Sequence, residues 1–172
     1  MASLRLFIAL WPTPATRTAV AAAQEALRCP AGTRRVAASD LHLTLAFIGA
    51  VEQEQLGRVT QAADMASARV ELTLDRLDVW KGGTVVLRPT CVPTALADLQ
   101  GRLVQSLRAC GVAFDARPFA PHVTLARKAR GLEAAALPPL RWRSAGHVLA
   151  LSAGGRYTVI TRFAQGLQGP GH

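Results

Sequence analysis

The chain has 172 residues, half of them hydrophobic, and carries a formal net charge of +9. No apolar run approaches the roughly 20 residues that a membrane-spanning helix needs, so we expect no transmembrane segment. The opening residues 1–14 lack the pattern of a secretory signal, and this length allows one domain, so we expect a single cytoplasmic domain.

The positive charge is compatible with a nucleic-acid or other phosphate-bearing partner, but a codon bias toward arginine would explain it nearly as well. Charge alone therefore identifies no function. The three cysteines, Cys29, Cys91 and Cys110, are odd in number, far apart and without a C-x-x-C pair. This spacing predicts reduced thiols, and neither a disulfide framework nor a zinc site.

Strand-like and helical patterns alternate along the first half of the chain. Apolar alternation predicts strands, whereas an alanine-rich or 3.6-residue pattern predicts helices. The predicted elements are strand 4–10, helix 13–28, strand 41–48, helix 52–66 and strand 69–80. A Lys81-Gly82-Gly83 turn ends this half.

The second half repeats that order. A strand over 84–87 is followed by a helix over 93–110 with the apolar stripe Leu96, Leu99, Leu103 and Leu107. Further strands are predicted at 141–151 and 156–163, and 166–172 is expected to be a disordered tail. We therefore predict two similar halves, lobes of roughly 1–80 and 81–165, that pack as one unit.

One short motif occurs once in each half, 80 positions apart. "DLHLTLAFIG" at 40–49 and "PHVTLAR" at 121–127 share His-x-Thr-Leu, which we call the tetrad. Residues two apart on a strand share a face. Alternation therefore places the His and Thr of each tetrad on one face: His42, Thr44, His122 and Thr124. The residues at the alternate positions, Phe47 included, are then expected to point into the core.

If the two halves are related by a pseudo-twofold axis, the polar faces meet across a cleft. Two histidines that titrate near neutrality can serve as base and acid in one turnover. Two threonine hydroxyls can donate hydrogen bonds to phosphate oxygens. A phosphodiester that undergoes in-line attack could use both the pair of histidines and the pair of threonine hydroxyls. No cluster of Asp and Glu lies near either tetrad, so we expect no metal and no cofactor.

Three segments, "RLFIAL", "HLTLAFIG" and "PFAPHVTLAR", resemble the two-histidine phosphoesterase superfamily. Within it they are most similar to the RNA 2′,3′-cyclic phosphodiesterases, historically called 2′-5′ RNA ligases. The resemblance implies a bilobal α+β fold with an antiparallel sheet and flanking helices in each half and a central cleft. It implies hydrolysis of RNA ends or nucleoside 2′,3′-cyclic phosphates to 2′-phosphates, with weak reverse 2′-5′ ligation.

The resemblance also assigns roles to individual residues. His42 corresponds to the family's proton donor and His122 to its proton acceptor, while Thr44 and Thr124 hold the phosphate. Arg127 stands where the second motif usually ends in arginine and would add charge to the phosphate site. By strict alternation, however, Arg127 points away from His122 unless the strand twists or ends there.

Two rival hypotheses stay open at this point. A binding module of the same fold would recognise RNA ends without turnover, although two intact histidines argue against it. A two-histidine metal site would need a third ligand, and none is evident. We expect a monomer, a structural or surface position for His147, and a core position for Phe7 rather than one on the cleft floor.

Overall fold

A computed structural model describes residues 3–67, 69–134 and 136–163. The predicted tail at 166–172 lies outside the described residues. Within them the chain forms nine β-strands and three α-helices, which confirms the α+β class. None of the helices in these ranges is long and apolar enough to cross a membrane.

The strands and helices follow the predicted order closely. The strands are β1 Ser3–Pro12, β2 Arg34–Arg35, β3 Leu43–Glu52, β4 Glu71–Leu74, β5 Arg76–Trp80, β6 Thr84–Arg88, β7 Val123–Arg127, β8 Leu140–Ala153 and β9 Arg156–Arg162. The α-helices are α1 Pro14–Glu25, α2 Leu56–Ala63 and α3 Thr94–Ala109. Short 3₁₀ turns cover Ala38–Asp40 and Gln53–Gln55.

All strand pairs are antiparallel and join in the order β4-β8-β1-β3-β7-β6-β5, with β9 on β8 and β2 on β7. At the centre, β3 and β7 meet through the pair Leu43 and Val123. These residues directly follow His42 and His122. The two tetrads therefore begin on neighbouring strands in the middle of the sheet.

Both faces of the central strand β1 are buried. Leu6, Ile8 and Leu10 belong to the main core. The residues of opposite parity, such as Phe7 and Trp11, belong to a second, smaller cluster. Because side chains alternate along a strand, this second cluster lies on the other face of the sheet. The main core also takes in the predicted leucine stripe of α3, whose four members are fully buried.

The single strand predicted over 69–80 is wrong. The segment forms two strands, since β4 pairs with β8 whereas β5 pairs with β6. Asp75 lies at the break, where its N–H donates to the carbonyl of Arg88 and its carboxylate accepts from the N–H of Thr90 at 2.7 Å. The apolar alternation changes phase at the break, from Leu72 and Leu74 to Leu77, so the two consecutive polar residues Asp75 and Arg76 are its sequence signal.

The prediction of two lobes over about 1–80 and 81–165 stays a prediction. In the sheet, the β5–β6 hairpin spans the proposed boundary, and β8 pairs with β1 from the other end of the chain.

Candidate active site

One pocket brings together every site residue that the sequence predicts. His42, Thr44, His122, Thr124 and Arg127 line a cavity of about 200 Å³ on the face of the sheet that carries the smaller apolar cluster. The other residues of its lining are Arg5, Phe7, Val36, Asp40, Phe47, Ser152 and Tyr157. The strands β3 and β7 supply the polar centre of this pocket.

The two histidines are held by the same backbone contact. Nδ1 of His42 lies 2.6 Å from the carbonyl oxygen of Asp40, and Nδ1 of His122 lies 2.7 Å from that of Ala120. A carbonyl oxygen can only accept, so each Nδ1 carries a proton. In the neutral rings Nε2 is therefore the unprotonated nitrogen, and it is the atom left to exchange a proton with a substrate.

The hydroxyl of Thr44 contacts this reactive nitrogen of His42. Its Oγ1 atom lies 3.1 Å from Nε2. While the ring is neutral, the hydroxyl donates and Nε2 accepts. A bound phosphate would offer the hydroxyl a charged acceptor instead, since hydrogen bonds to ionised groups are the stronger ones.

A β-bulge follows the threonine of the first tetrad. Opposite β1, Thr44 pairs with Ala9 and Ala46 pairs with Ile8, so Leu45 is the extra residue on β3. A bulge places one additional residue on one strand and re-aims the side chains beyond it.

The second tetrad has a bulge at the equivalent position. Opposite β6, Thr124 pairs with Val86 and Ala126 pairs with Val85, so Leu125 is the extra residue on β7. Each bulge thus falls on the leucine of its tetrad.

These bulges correct two predictions about side-chain direction. Phe47 was expected in the core and Arg127 was expected to point away from His122, but both line the pocket. The extra leucine shifts the parity of the residues that directly follow it, so Leu45 and Ala46 both face the main core and Phe47 turns to the site. Arg127 reaches the site for the same reason.

The second bulge is held in place by a buried glutamine of α1. The carbonyl of Leu125 accepts hydrogen bonds from Nε2 of Gln24 at 2.6 Å and from the N–H of Val36 at 2.9 Å. Nε2 of Gln24 also donates to the carbonyl of Val36 at 2.7 Å. This side chain therefore joins α1 to the strand that carries Thr124 and Arg127, a role that sequence patterns did not indicate.

Three aromatic rings surround His42. The Phe7 ring centroid lies 4.8 Å from that of the imidazole, Tyr157 meets it edge-on at 5.0 Å, and Trp11 is stacked at 5.9 Å. Burial among these rings lowers the pKa of His42 to about 4, because it penalises the charged imidazolium. Phe7 is buried as predicted, but it lies beneath the site instead of in the main core.

The second histidine contacts fewer rings. The indole of Trp80 meets His122 edge-on at 4.5 Å. Burial again lowers the pKa, the hydrogen bond to the Ala120 carbonyl opposes this shift, and the positive charges of Arg88 and Arg127 add to it.

Asp40 supplies a buried negative charge on the His42 side of the pocket. It is only 4 % exposed, and its Oδ2 atom lies 3.3 Å from Nε of the exposed Arg156. The hydrogen bond to its backbone carbonyl and the charge of its carboxylate both raise the pKa of His42, against the larger effect of burial. No sequence pattern singled out Asp40 or Tyr157 as site residues, because β9 and the 3₁₀ turn carry no motif.

The remaining described histidine belongs to the interior. His147 is fully buried, and its Nε2 atom lies 2.8 Å from the carbonyl oxygen of Ala63, which fits its predicted structural role. Since a carbonyl only accepts, Nε2 is the donor. Among the residues that the structure describes, no group of three or more His, Cys, Asp or Glu side chains could hold a metal ion.

The geometry of this pocket can be compared with known proteins. A family model described as the 2′-5′ RNA ligase superfamily matches residues 12–148. The chain belongs to this superfamily. An Escherichia coli (strain K12) relative, named RNA 2′,3′-cyclic phosphodiesterase, is 35 % identical over 149 residues, which cover 78 % of this chain and 81 % of the relative.

Two solved structures share the fold of this chain over most of its length. The crystal structure of E. coli LigT complexed with 3′-AMP has a TM-score of 0.80 and 30 % identity, covering 95 % of this chain and 99 % of LigT. A crystal structure of a Thermus thermophilus protein has a TM-score of 0.71 and 26 % identity, covering 93 % and 97 %. The similarity therefore extends across both tetrads and the strands between them.

Proposed function

We propose that the protein hydrolyses the 2′,3′-cyclic phosphate of RNA ends or nucleotides to a 2′-phosphate, with His42 and His122 as its acid and base. The observation that carries the proposal is the convergence of two identically held imidazoles and two threonine hydroxyls on one pocket. The name of the E. coli relative, RNA 2′,3′-cyclic phosphodiesterase, supports the same reaction.

The chemical step requires two proton transfers at opposite sides of phosphorus. Nε2 of His122 accepts a proton from water as the water oxygen bonds to phosphorus. The bond from phosphorus to the 3′-oxygen breaks, and Nε2–H of His42 gives its proton to that oxygen. The products are a 2′-phosphate and a free 3′-hydroxyl. Thr44, Thr124 and Arg127 hold the phosphate oxygens during the step.

The charges around the two rings support this assignment of roles. The carboxylate of Asp40 favours the protonated form of His42 and Arg88 favours the neutral form of His122, whereas Arg127 favours the neutral form of both rings. Burial keeps His42 neutral in the ligand-free protein at neutral pH, because its pKa is about 4. The negative charge of a bound phosphodiester beside Nε2 raises the pKa of His42 and so favours the protonated form, which can act as the proton donor.

The localisation, oligomeric state, metal requirement and ligation activity of the protein are also proposals. The protein acts as a cytoplasmic monomer on RNA ends or nucleoside 2′,3′-cyclic phosphates, needs no metal or cofactor, and catalyses weak reverse 2′-5′ ligation. A module that only binds RNA ends would not need a separate proton donor and acceptor. The charge of Asp40 beside one histidine and that of Arg88 beside the other therefore favour catalysis over binding alone.

Turnover by histidine variants tests the proposal. His42→Ala and His122→Ala should each lose roughly 10²-fold or more in kcat on a nucleoside 2′,3′-cyclic phosphate, the usual scale for acid–base groups. Both should keep the circular-dichroism spectrum of the parent. If either folded variant turns over near the parent rate, the acid–base assignment is wrong.

A further inference from the structure

The turn between β5 and β6 lies against the end of the strand that carries Arg127. Residues 81–83 form this turn, which is closed by a hydrogen bond from the N–H of Gly83 to the carbonyl of Trp80 at 3.0 Å. The carbonyl of Gly83 in turn accepts from the N–H of Ala129 at 2.9 Å. The turn is therefore bonded to the chain two residues beyond Arg127.

A glycine is required where the turn meets this segment. A Cβ atom on Gly83 would lie 2.7 Å from the backbone nitrogen of Ala129 and 2.8 Å from that of Arg130, closer than a carbon atom can pack. Ala129 has no room to move away, because it is fully buried in the main core. The backbone after Arg127 is therefore in direct contact with the backbone of the turn.

The residue between Arg127 and this contact has an unusual backbone conformation. Lys128 has a φ of 61°, the one positive φ outside glycine among the residues that the structure describes. This left-handed conformation is unfavourable for a residue with a Cβ atom, and it persists only where surrounding contacts impose it. The burial of Ala129 and its hydrogen bond to Gly83 are such contacts, so they impose a sharp change of direction directly after Arg127.

The side chain of Arg127 has no comparable restraint of its own. It lines the catalytic pocket, and it makes no hydrogen bond or ion pair with the rest of the described chain. Arg127 is also the last residue of β7, directly before the change of direction. The position of its guanidinium therefore depends on where the backbone leaves the strand.

We propose that Gly83 is a positioning residue for the arginine that binds the phosphate. The turn fixes the path of the backbone after β7, and so it holds the guanidinium of Arg127 in the pocket. The inference rests on the proposed function, in which Arg127 binds phosphate oxygens. Gly83 does not line the pocket itself and acts through residues 128–130. A misplacement of about 1 Å at a group that orients the substrate can cost on the order of 10²-fold in rate, so a small shift of this backbone is sufficient.

The neighbouring glycine provides a matched control. Gly82 has a φ of 86°, close to the 82° of Gly83, so alanine meets a similar backbone strain at either position. A Cβ atom on Gly82 would meet nothing within 4 Å apart from its chain neighbours, whereas one on Gly83 would displace residues 129–130. The two substitutions therefore differ in their effect on the segment after Arg127.

The test compares the two glycine variants with the parent protein, at a temperature where circular dichroism shows all three to be folded. The substrate is a nucleoside 2′,3′-cyclic phosphate, and inorganic phosphate is the competitive inhibitor. Gly83→Ala should lower kcat/KM about tenfold or more and weaken inhibition by phosphate, since a displaced guanidinium loses contacts to phosphate oxygens. Gly82→Ala should keep kcat/KM within about twofold of the parent value. Equal kcat/KM values in the two variants would overturn the inference.

A double-mutant cycle separates positioning from a general loss of structure. In an Arg127→Ala background, Gly83→Ala should cause no further loss of kcat/KM, because the group that it positions is absent. The residual turnover is followed at high enzyme concentration. The same fold loss in both backgrounds would show that Gly83 does not act through Arg127, and the inference would be wrong.

The exposed Lys128 allows a second test that leaves the turn unchanged, including the case in which Gly83→Ala fails to fold. Lys128→Asn and Lys128→Val both remove the charge, but asparagine tolerates a positive φ and β-branched valine does not. Lys128→Val should therefore lose kcat/KM relative to Lys128→Asn. Equal values in this pair would also contradict the inference.

Failure of the proposed function would be recognised separately. A parent protein that hydrolyses no cyclic phosphate would overturn the proposed reaction. The affinity for inorganic phosphate, measured by ³¹P NMR without turnover, would still be expected to fall in Gly83→Ala and not in Gly82→Ala. An unchanged affinity in Gly83→Ala would overturn the positioning role.

Discussion

The buried carboxylate of Asp40 lies 3.3 Å from Nε of the exposed Arg156, in the pocket that holds His42. These two residues carry opposite charges and should shift the proton affinity of His42 in opposite directions. Among the described residues, the other charged or titratable groups that line this pocket are Arg5, His122, Arg127 and Tyr157, and Arg17 interacts with Asp40 from α1.

Asp40→Asn should therefore lower the pKa of His42 further, and Arg156→Ala should raise it. An NMR titration of the His42 ring in the ligand-free protein measures both shifts against the parent value of about 4. Shifts of the same sign in the two variants would show that the charge of Asp40 does not act on His42.

The roles of the two histidines can be separated by the leaving group. A substrate whose leaving oxygen needs no proton should rescue His42→Ala, because that variant lacks only the proton donor. The same substrate should leave His122→Ala slow, since attack by water still requires a base. Relative kcat values on good and poor leaving groups give the answer. Rescue of His122→Ala alone would exchange the two roles and keep the reaction class.

Burial of a neutral His42 predicts how stability depends on pH. Its pKa falls from 6.5 in the unfolded chain to about 4 in the folded protein, so between these values the unfolded state binds more protons. Its contribution to stability is therefore fully present above about pH 6.5 and is lost as the pH falls toward 4.

Urea unfolding of the parent and of His42→Gln at several pH values measures this contribution. As the pH falls from 6.5 to 4, the free energy of unfolding of the parent protein should decrease relative to that of His42→Gln. Above pH 7 the difference between the two proteins should be constant. A difference that is flat across the whole range would contradict the low pKa.

Gln24 should matter to stability although it lies outside the pocket. Gln24→Ala removes a buried donor from the carbonyls of Leu125 and Val36, which should cost about 1–3 kcal/mol in the free energy of unfolding. The matched variant Gln105→Ala, at an exposed site on α3, should stay within about 0.5 kcal/mol of the parent. Equal stability of the two variants would mean that the bulge in β7 does not depend on Gln24.

The sequence was sufficient to predict the tetrads on neighbouring elements and a pocket at their meeting point. Periodicity specifies which residues share a face, and His42, Thr44, His122 and Thr124 obey it. The side-chain directions that periodicity predicts are wrong after each threonine, because Leu45 and Leu125 are ordinary strand residues that give no sign of a bulge. Phe47 and Arg127 were therefore assigned to the wrong face.

Other site residues depend on pairings between distant parts of the chain. Tyr157 reaches His42 because β9 pairs with β8 and β8 pairs with β1. A single sequence contains no local signal of such an order. The residues that adjust the proton affinity of His42 could therefore be found only in the folded chain.

The identity of the product tests the central claim most directly. The parent protein is incubated with a nucleoside 2′,3′-cyclic phosphate in excess chelator, and the product isomer is identified by ³¹P NMR. Two histidines that act without a metal predict full turnover and a 2′-phosphate as the product. A 3′-phosphate product, or activity that is lost on chelation and restored by a divalent ion, would contradict the account.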